Sequence, residues 1–171
     1  MIRPNWFPGP GVAPSRRGLQ SPIAVLYFTY TALISPELLA STAPGAEFKF
    51  IAHLPEWRLV FPMTHPAWEG GLPSVQPESG HTVWGAVFEV PSGERQAITK
   101  AELAEGRTAT EVEAMDRTGR RHRVTTFVHS GNGNREFDPS ESYLVHMLRG
   151  SRHWNLPAGW IAGLEEHLDA F

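Results

Sequence analysis

The chain has 171 residues, 41% of them hydrophobic and 19% charged, with a formal net charge of -3 and no cysteine. That length suits one packed domain burying roughly two-thirds of its unfolded surface. The charge offers no general attraction to phosphate backbones, which argues against nucleic acid, and the missing cysteines exclude disulfides, thiolate nucleophiles and thiolate-bound metals.

Met1 to Gln20 holds four prolines and the charges Arg3, Arg16 and Arg17, without the continuous apolar core of a secretory signal. The expectation is a flexible tail over residues 1–22 ahead of a domain over 23–171. No apolar run approaches the ~18 to 20 residues that span a bilayer. The expected protein therefore has no membrane partner and is cytoplasmic.

Ala24 to Tyr30 is apolar, β-branched and aromatic, the pattern of a strand buried on both faces. Ser35-Pro36-Glu37 follows with a cap, a first-turn proline and an acid at the positive helix pole, so a helix starts there and ends before Pro44-Gly45. A strand meeting a helix N-terminus is an anion trap on physical grounds, which makes Tyr27 to Pro36 the first candidate ligand site.

Strands are expected at Glu47–His53 and Trp57–Phe61 with a turn at Leu54-Pro55-Glu56, then at Leu72–Val75 and Thr82–Val90, arranged as a meander. A short helix is expected at Thr99–Glu105 and a hairpin from Thr110–Met115 and Val124–His129. Arg120 to Arg123 reads as a solvated hairpin turn, and Ser130 to Asn134 as a flexible loop. Ser140–Arg149 and Pro157–Leu168 close the chain as two helices, giving an α+β class without internal repeats.

Standard catalytic signatures are missing: no G-x-S-x-G elbow, no Gly-Lys-Ser/Thr phosphate loop, no H-E-x-x-H. His146 and His153 are two helical turns apart, but Gly150 between them reads as a break, so no metal site is expected. The tryptophans and phenylalanines read as packing.

Tyr27-Phe28-Thr29-Tyr30-Thr31-Ala32-Leu33-Ile34 resembles the Y-F-A-Y-G-S-N-L signature of the γ-glutamylcyclotransferase family, an avirulence-induced-gene-like group. Pro44-Gly45-Ala46, Ile51-Ala52-His53-Leu54, Trp57 to Phe61, Trp68-Glu69-Gly70-Gly71 and Val83 to Phe88 are similar to further family segments in the same order. So are Pro139-Ser140, Tyr143, Met147, Gly150 and Leu156-Pro157 near the end. The resemblance implies a small, closed or nearly closed mixed β-barrel flanked by helices, with a cavity at one end. It also implies a homodimer.

In that family the substrate's own α-amine attacks its γ-carbonyl, releasing an amine and leaving 5-oxoproline. A tethered nucleophile closing a five-membered ring needs no metal or cofactor, only a carboxylate that carries a proton from the α-ammonium to the leaving nitrogen. The family's carboxylate precedes a glycine in L-D-x-x-E-G, which places the role on Glu105 in Ala101-Glu102-Leu103-Ala104-Glu105-Gly106, with Glu102 one turn away as the alternative. Read by itself, Glu105-Gly106 is equally a helix end with a capping glycine. The resemblance puts Tyr27, Phe28, Thr29, Tyr30, Thr31, Ala32 and Leu33 around the glutamyl head. It puts the Tyr143 hydroxyl in the pocket, where core packing is the other reading.

Thr31-Ala32-Leu33 stands where the family has G-S-N, replacing a flexible polar loop by a stiffer, more apolar one. Two readings follow: a cyclotransferase for a small γ-glutamyl amine or amide, and a non-catalytic binding or interaction module on the same fold. Acyl transfer or amide hydrolysis is a more distant third.

Overall fold

A computed structural model describes residues 25–131 and 135–169. The expected tail therefore lies wholly outside the described residues, as do the last three residues of the loop over 130–134. Nine elements follow in order: β1 (Leu26–Thr29), α1 (Pro36–Thr42), β2 (Glu47–Thr64), β3 (Gly71–Glu89), α2 (Arg95–Ala104), β4 (Arg107–Asp116), β5 (Arg121–His129), α3 (Glu141–His153) and α4 (Ala158–Asp169). A 3-10 turn at Ala32–Ile34 joins β1 to α1.

The five strands close a barrel in the order β1-β3-β2-β4-β5. All pairs are antiparallel except β1 with β5, which meet in parallel through Tyr27 and Thr125. The expected mixed, closed barrel with flanking helices is the observed architecture.

Two expected pairs of short strands are instead two long ones. Leu54-Pro55-Glu56 does not reverse the chain; β2 runs through it with a register shift between Pro55 and Trp57, and Glu56 adopts φ 65°. Opposite, Gly80 adopts φ 84° and donates its N–H to the Glu56 carboxylate at 2.8 Å. Turn-forming residues have been used as paired bulges that bend both strands together, which curves a ribbon into a barrel without ending it.

Helix α2 begins at Arg95, four residues before the expected start. Its buried positions are Arg95, Ile98 and Glu102. The spacing is helical, but two of the three are charged, so a hydrophobic pattern does not reveal the inward face.

Helix α3 runs through Gly150 to His153, against the expected break. A Cβ on Gly150 would stand 2.3 Å from the Ile34 carbonyl oxygen. The glycine is there for close approach: it lets α3 press on the 3-10 turn, to which the Trp154 indole N–H is also tied through the Ile34 carbonyl at 2.9 Å. His146 and His153 share this helix, yet among the described residues no group of three or more histidine and acidic side chains could hold a metal. No described helix is long and apolar enough to cross a membrane.

Candidate functional site

The C-terminal end of α2 faces the 3-10 turn across a cavity of about 200 Å³, walled by Ala32, Leu33, Leu38, Trp68, Ala101, Glu102 and Glu105, with Ser41 and Thr42 at the end of α1. Glycine makes the corner possible. Gly106 adopts φ 87°, a conformation unfavourable for L side chains, and turns the chain from α2 into β4 so that Glu105 and Arg107 lie side by side. Its N–H caps α2 on the Leu103 carbonyl, as the helix-end reading of Glu105-Gly106 expects, while Glu105 itself lines the cavity.

Arg107 is the hub, and its side chain is fully buried. Its Nε donates to the Pro73 carbonyl at 2.8 Å, its Nη1 to Glu102 Oε2 and Glu105 Oε1 at 2.8 Å each, and its Nη2 to the Tyr143 hydroxyl at 2.8 Å. The Tyr143 hydroxyl accepts a second bond from the Ala32 N–H at 3.1 Å and donates to Glu105 Oε1 at 2.6 Å. The hydroxyl is saturated. The turn backbone and the Glu105 carboxylate thus stand no more than two hydrogen bonds apart.

The two acids differ in what is left to them. Glu102 Oε1 accepts from Thr31 Oγ1 at 2.7 Å and from the Tyr27 hydroxyl at 3.1 Å, while Oε2 takes Arg107. Its side chain is 2% exposed. Glu105 is 21% exposed, and both its bonds fall on Oε1. Among the described residues Oε2 of Glu105 accepts no hydrogen bond, so one oxygen is anchored and the other remains for a ligand.

The electrostatics follow from two carboxylates around one guanidinium. Burial pushes the Glu102 carboxyl above its ordinary value; the nearby Glu105 charge adds to the rise, and Arg107 with the two hydroxyl donors opposes it. Burial likewise raises the Tyr143 hydroxyl against the pull of Arg107, and raises Tyr27 with help from Glu102. Both tyrosines are neutral donors near neutral pH. Burial works against the Arg107 charge, but Tyr143, Glu102, Tyr30 and Glu105 more than offset it.

Of the expected site residues, Ala32, Leu33 and Glu105 line the cavity. Tyr27, Thr31 and Tyr143 stand directly behind it, bonded to the two acids, and Thr29 reaches Thr31 through its hydroxyl at 3.3 Å. Phe28 and Tyr30 point to the other side of β1, among Ala52, Leu54 and Val83. They are core packing, as strand alternation requires once Tyr27 faces the acids.

The helix N-terminus proposed as an anion trap has its own acid: Ser35 Oγ donates to Glu37 Oε2 at 2.9 Å, and the Glu37 N–H helps hold the same carboxylate below its ordinary range. The cavity meets α1 at its other end. Arg107 and Trp68 were missed by sequence reasoning. An arginine two residues after the candidate acid offered a weak signal, since charged strand residues ordinarily read as solvent-facing.

Comparison with known proteins agrees with this architecture. The family model described as the AIG2-like family matches residues 82–164. The γ-glutamylcyclotransferase of Bos taurus is 24% identical over 136 residues, spanning 77% of this chain and 72% of its own, and that of Homo sapiens is 23% identical over the same shares. Among solved structures, a γ-glutamyl cyclotransferase superposes with TM-score 0.76 at 22% identity, covering 83% of this chain and 86% of its own. YkqA from Bacillus subtilis superposes with TM-score 0.73 at 17% identity, covering 88% of this chain and 56% of its own. With its closed barrel, helix-end cavity and these matches, the chain is similar to the γ-glutamylcyclotransferase-like proteins and shares their fold.

Proposed function

We propose that the protein cyclises a small γ-glutamyl amide to 5-oxoproline and releases the amine, with Glu105 as the proton carrier. The observation that carries this reading is the asymmetry of Glu105: Oε1 is fixed by Tyr143 and Arg107, while Oε2 accepts no described protein donor at a cavity wall. The substrate's α-ammonium delivers a proton to Oε2, and the freed amine attacks the γ-carbonyl carbon four bonds away in the same molecule, closing a five-membered ring. The attacking nitrogen gives up a second proton as the ring closes, and the C–N bond to the leaving group breaks as the two protons pass by way of Glu105 to its nitrogen, so that a lactam N–H and an ammonium are left. The α-carboxylate is received on the side of the Ala32–Ile34 turn.

Glu102 serves a different purpose in this reading. Both its oxygens are committed to Thr31, Tyr27 and Arg107, so it fixes Arg107 and the turn. Thr31, which replaces the family's glycine, is thereby given work of its own.

The Ala32 N–H already bonds Tyr143, and Leu33 brings an apolar side chain into the wall; both observations favour the second reading, a non-catalytic binding module. One assay separates the two. A panel of γ-glutamyl compounds is incubated with the protein and with Glu105→Gln, and 5-oxoproline is quantified. Release that the substitution abolishes is the expected result. Binding without release across the panel sinks the catalytic reading, and unchanged release from the variant removes Glu105 from its role.

A further inference from the structure

We propose that Glu102 is a positioning residue for Glu105: its fixed negative charge keeps Arg107 paired while Glu105 takes up and gives back protons, and so sets how readily Glu105 accepts one. The consequence for turnover rests on the cyclisation reading above; the charge relation is a property of the protein alone.

One nitrogen serves both acids. Arg107 Nη1 donates to Glu102 Oε2 and to Glu105 Oε1 at 2.8 Å each, so the two carboxylates stand no more than two hydrogen bonds apart. Every side-chain hydrogen bond of Glu102 is an accepted one: from Arg107 on Oε2, and from Thr31 Oγ1 and the Tyr27 hydroxyl on Oε1. Three donors and no acceptor fit the ionised form, because a carboxyl proton would have no oxygen to point at. Glu105 differs in having Oε2 open at the cavity wall, where a proton can come and go.

Among the described residues, the titratable groups that face this pair are Arg107 on β4, Tyr27 and Tyr30 along β1 and its continuation, and Tyr143 on α3. Burial keeps all three tyrosines neutral, and the Thr31 hydroxyl carries no charge. One cation and two anions remain. The cluster therefore has one net negative charge while Glu105 is ionised and none once it holds a proton. Without Glu102 the same step would run from neutral to net positive around a fully buried guanidinium, and an uncompensated charge in so poorly solvated a place is penalised. Each proton that the substrate passes to Glu105 thus relieves a charge instead of creating one, and each that Glu105 hands to the leaving nitrogen restores it.

Two departures from the pattern of the γ-glutamylcyclotransferase family build this arrangement. Glu102 stands where L-D-x-x-E-G has aspartate, and Thr31 where Y-F-A-Y-G-S-N-L has glycine. The longer acid reaches the new hydroxyl at 2.7 Å and Arg107 with its other oxygen, so the counter-charge is held at both ends.

The test is the titration of the Glu105 carboxyl by carbon-13 NMR of glutamate-labelled protein, assigned by the signal that Glu105→Gln removes, alongside the pH profile of kcat/KM for 5-oxoproline release. In Glu102→Gln the Glu105 midpoint and the acidic limb of the profile should move together to lower pH by roughly one to two units, the size of a lost like-charge contact at this separation in a partly solvated interior. Glu102→Asp, which keeps the charge and shortens the reach, should leave both near those of the unaltered protein. A second matched pair, Glu102→Asp against Glu102→Asn, repeats the comparison at the shorter length should the glutamine variant not fold. A merely structural role would lower the folded fraction and move neither quantity. Coincident Glu105 midpoints in the charged and neutral variants overturn the proposal, as does a downward shift of equal size in Glu102→Asp, which would trace to lost contacts. If the unaltered protein releases no 5-oxoproline, the cyclisation reading fails and the carboxyl midpoint decides alone: a downward move on neutralising Glu102 upholds the proposal, and no move overturns it.

Discussion

Two concavities in this molecule are built on opposite terms. The cavity at the end of α2 encloses about 200 Å³, while the groove where α4 crosses β2 and β3 measures about 470 Å³ and is lined by Arg58, His81, Trp160, Glu166 and His167 among others. In the smaller one the charges are sunk: Arg107 is 0% exposed and Glu102 2%. In the larger one Arg58 is 30% exposed and pairs with Glu78 and Glu136, which are 42% and 44% exposed. Volume therefore ranks the two the wrong way round. Desolvating three charges opposes folding by several kcal/mol per ion before pairing offsets it, and such an arrangement is the mark of a site, whereas surface ion pairs arise at almost no cost.

The sharpest way to break this comparison is Arg107→Met. It leaves Glu102 and Glu105 facing each other without their cation, and a loss of about 3 to 5 kcal/mol of unfolding free energy is expected by urea denaturation at neutral pH. Adding Glu102→Gln should recover part of it, because one uncompensated charge is then removed. A loss below about 1 kcal/mol for the single variant would mean that the network is solvated and no different from the groove.

Tyr143→Phe comes next. The ring stays packed against Trp68, at 4.9 Å between centroids, but the Ala32 N–H and one Arg107 N–H lose their acceptor and Glu105 loses a donor. Leaving such groups unsatisfied costs about 1 to 3 kcal/mol. In the proposed reaction the variant should also lower kcat more than it raises KM, since Oε1 of Glu105 is then held by Arg107 alone. Steady-state kinetics separates that split from a general loss of folded protein.

These contrasts also show what was legible beforehand. The barrel and its helices were readable because ordered family strings such as Val83 to Phe88 and Tyr27 to Ile34 sit on β3 and β1, where alternation and apolar runs carry the signal. Leu54-Pro55-Glu56 misled because turn chemistry and bulge chemistry use the same residues; only pairing between β2 and β3 decides between them. Glu105 was readable from its place before Gly106. Arg107 was not, because nothing local distinguishes an arginine that enters a barrel wall from one that leaves it. Its partners are 34 residues away at Pro73 and 36 at Tyr143. Only closure of the barrel brings them together.

A gentler probe is pH. The folded-state value for Glu102 lies above its unfolded one, so the native protein binds the extra proton over the window from about the ordinary glutamate value up to the raised one. Stability contributed by this group is present below the ordinary value and falls as pH rises through that window. Glu37 and Asp116, whose values are lowered, act with the opposite sign at lower pH, so the useful quantity is a difference. Subtracting the Glu102→Gln profile from that of the unaltered protein should leave a curve that declines with rising pH. A flat or rising difference would show that Arg107 fully compensates Glu102, which removes the strain assigned to the network.

The smallest effect is expected in the groove. Arg58→Ala removes two exposed ion pairs at once, to Glu78 and Glu136, yet each is screened by water and holds long side chains in place against their own entropy. A loss of at most about 1 kcal/mol is expected, shrinking as salt is raised from 0.05 to 0.5 M because the Debye length falls below the reach of exposed pairs. Release of 5-oxoproline should be unchanged, since Arg58 touches none of the cavity residues. A loss above about 2 kcal/mol that persists in high salt would place the groove's charges in the same regime as Arg107, and burial would then no longer separate the two concavities.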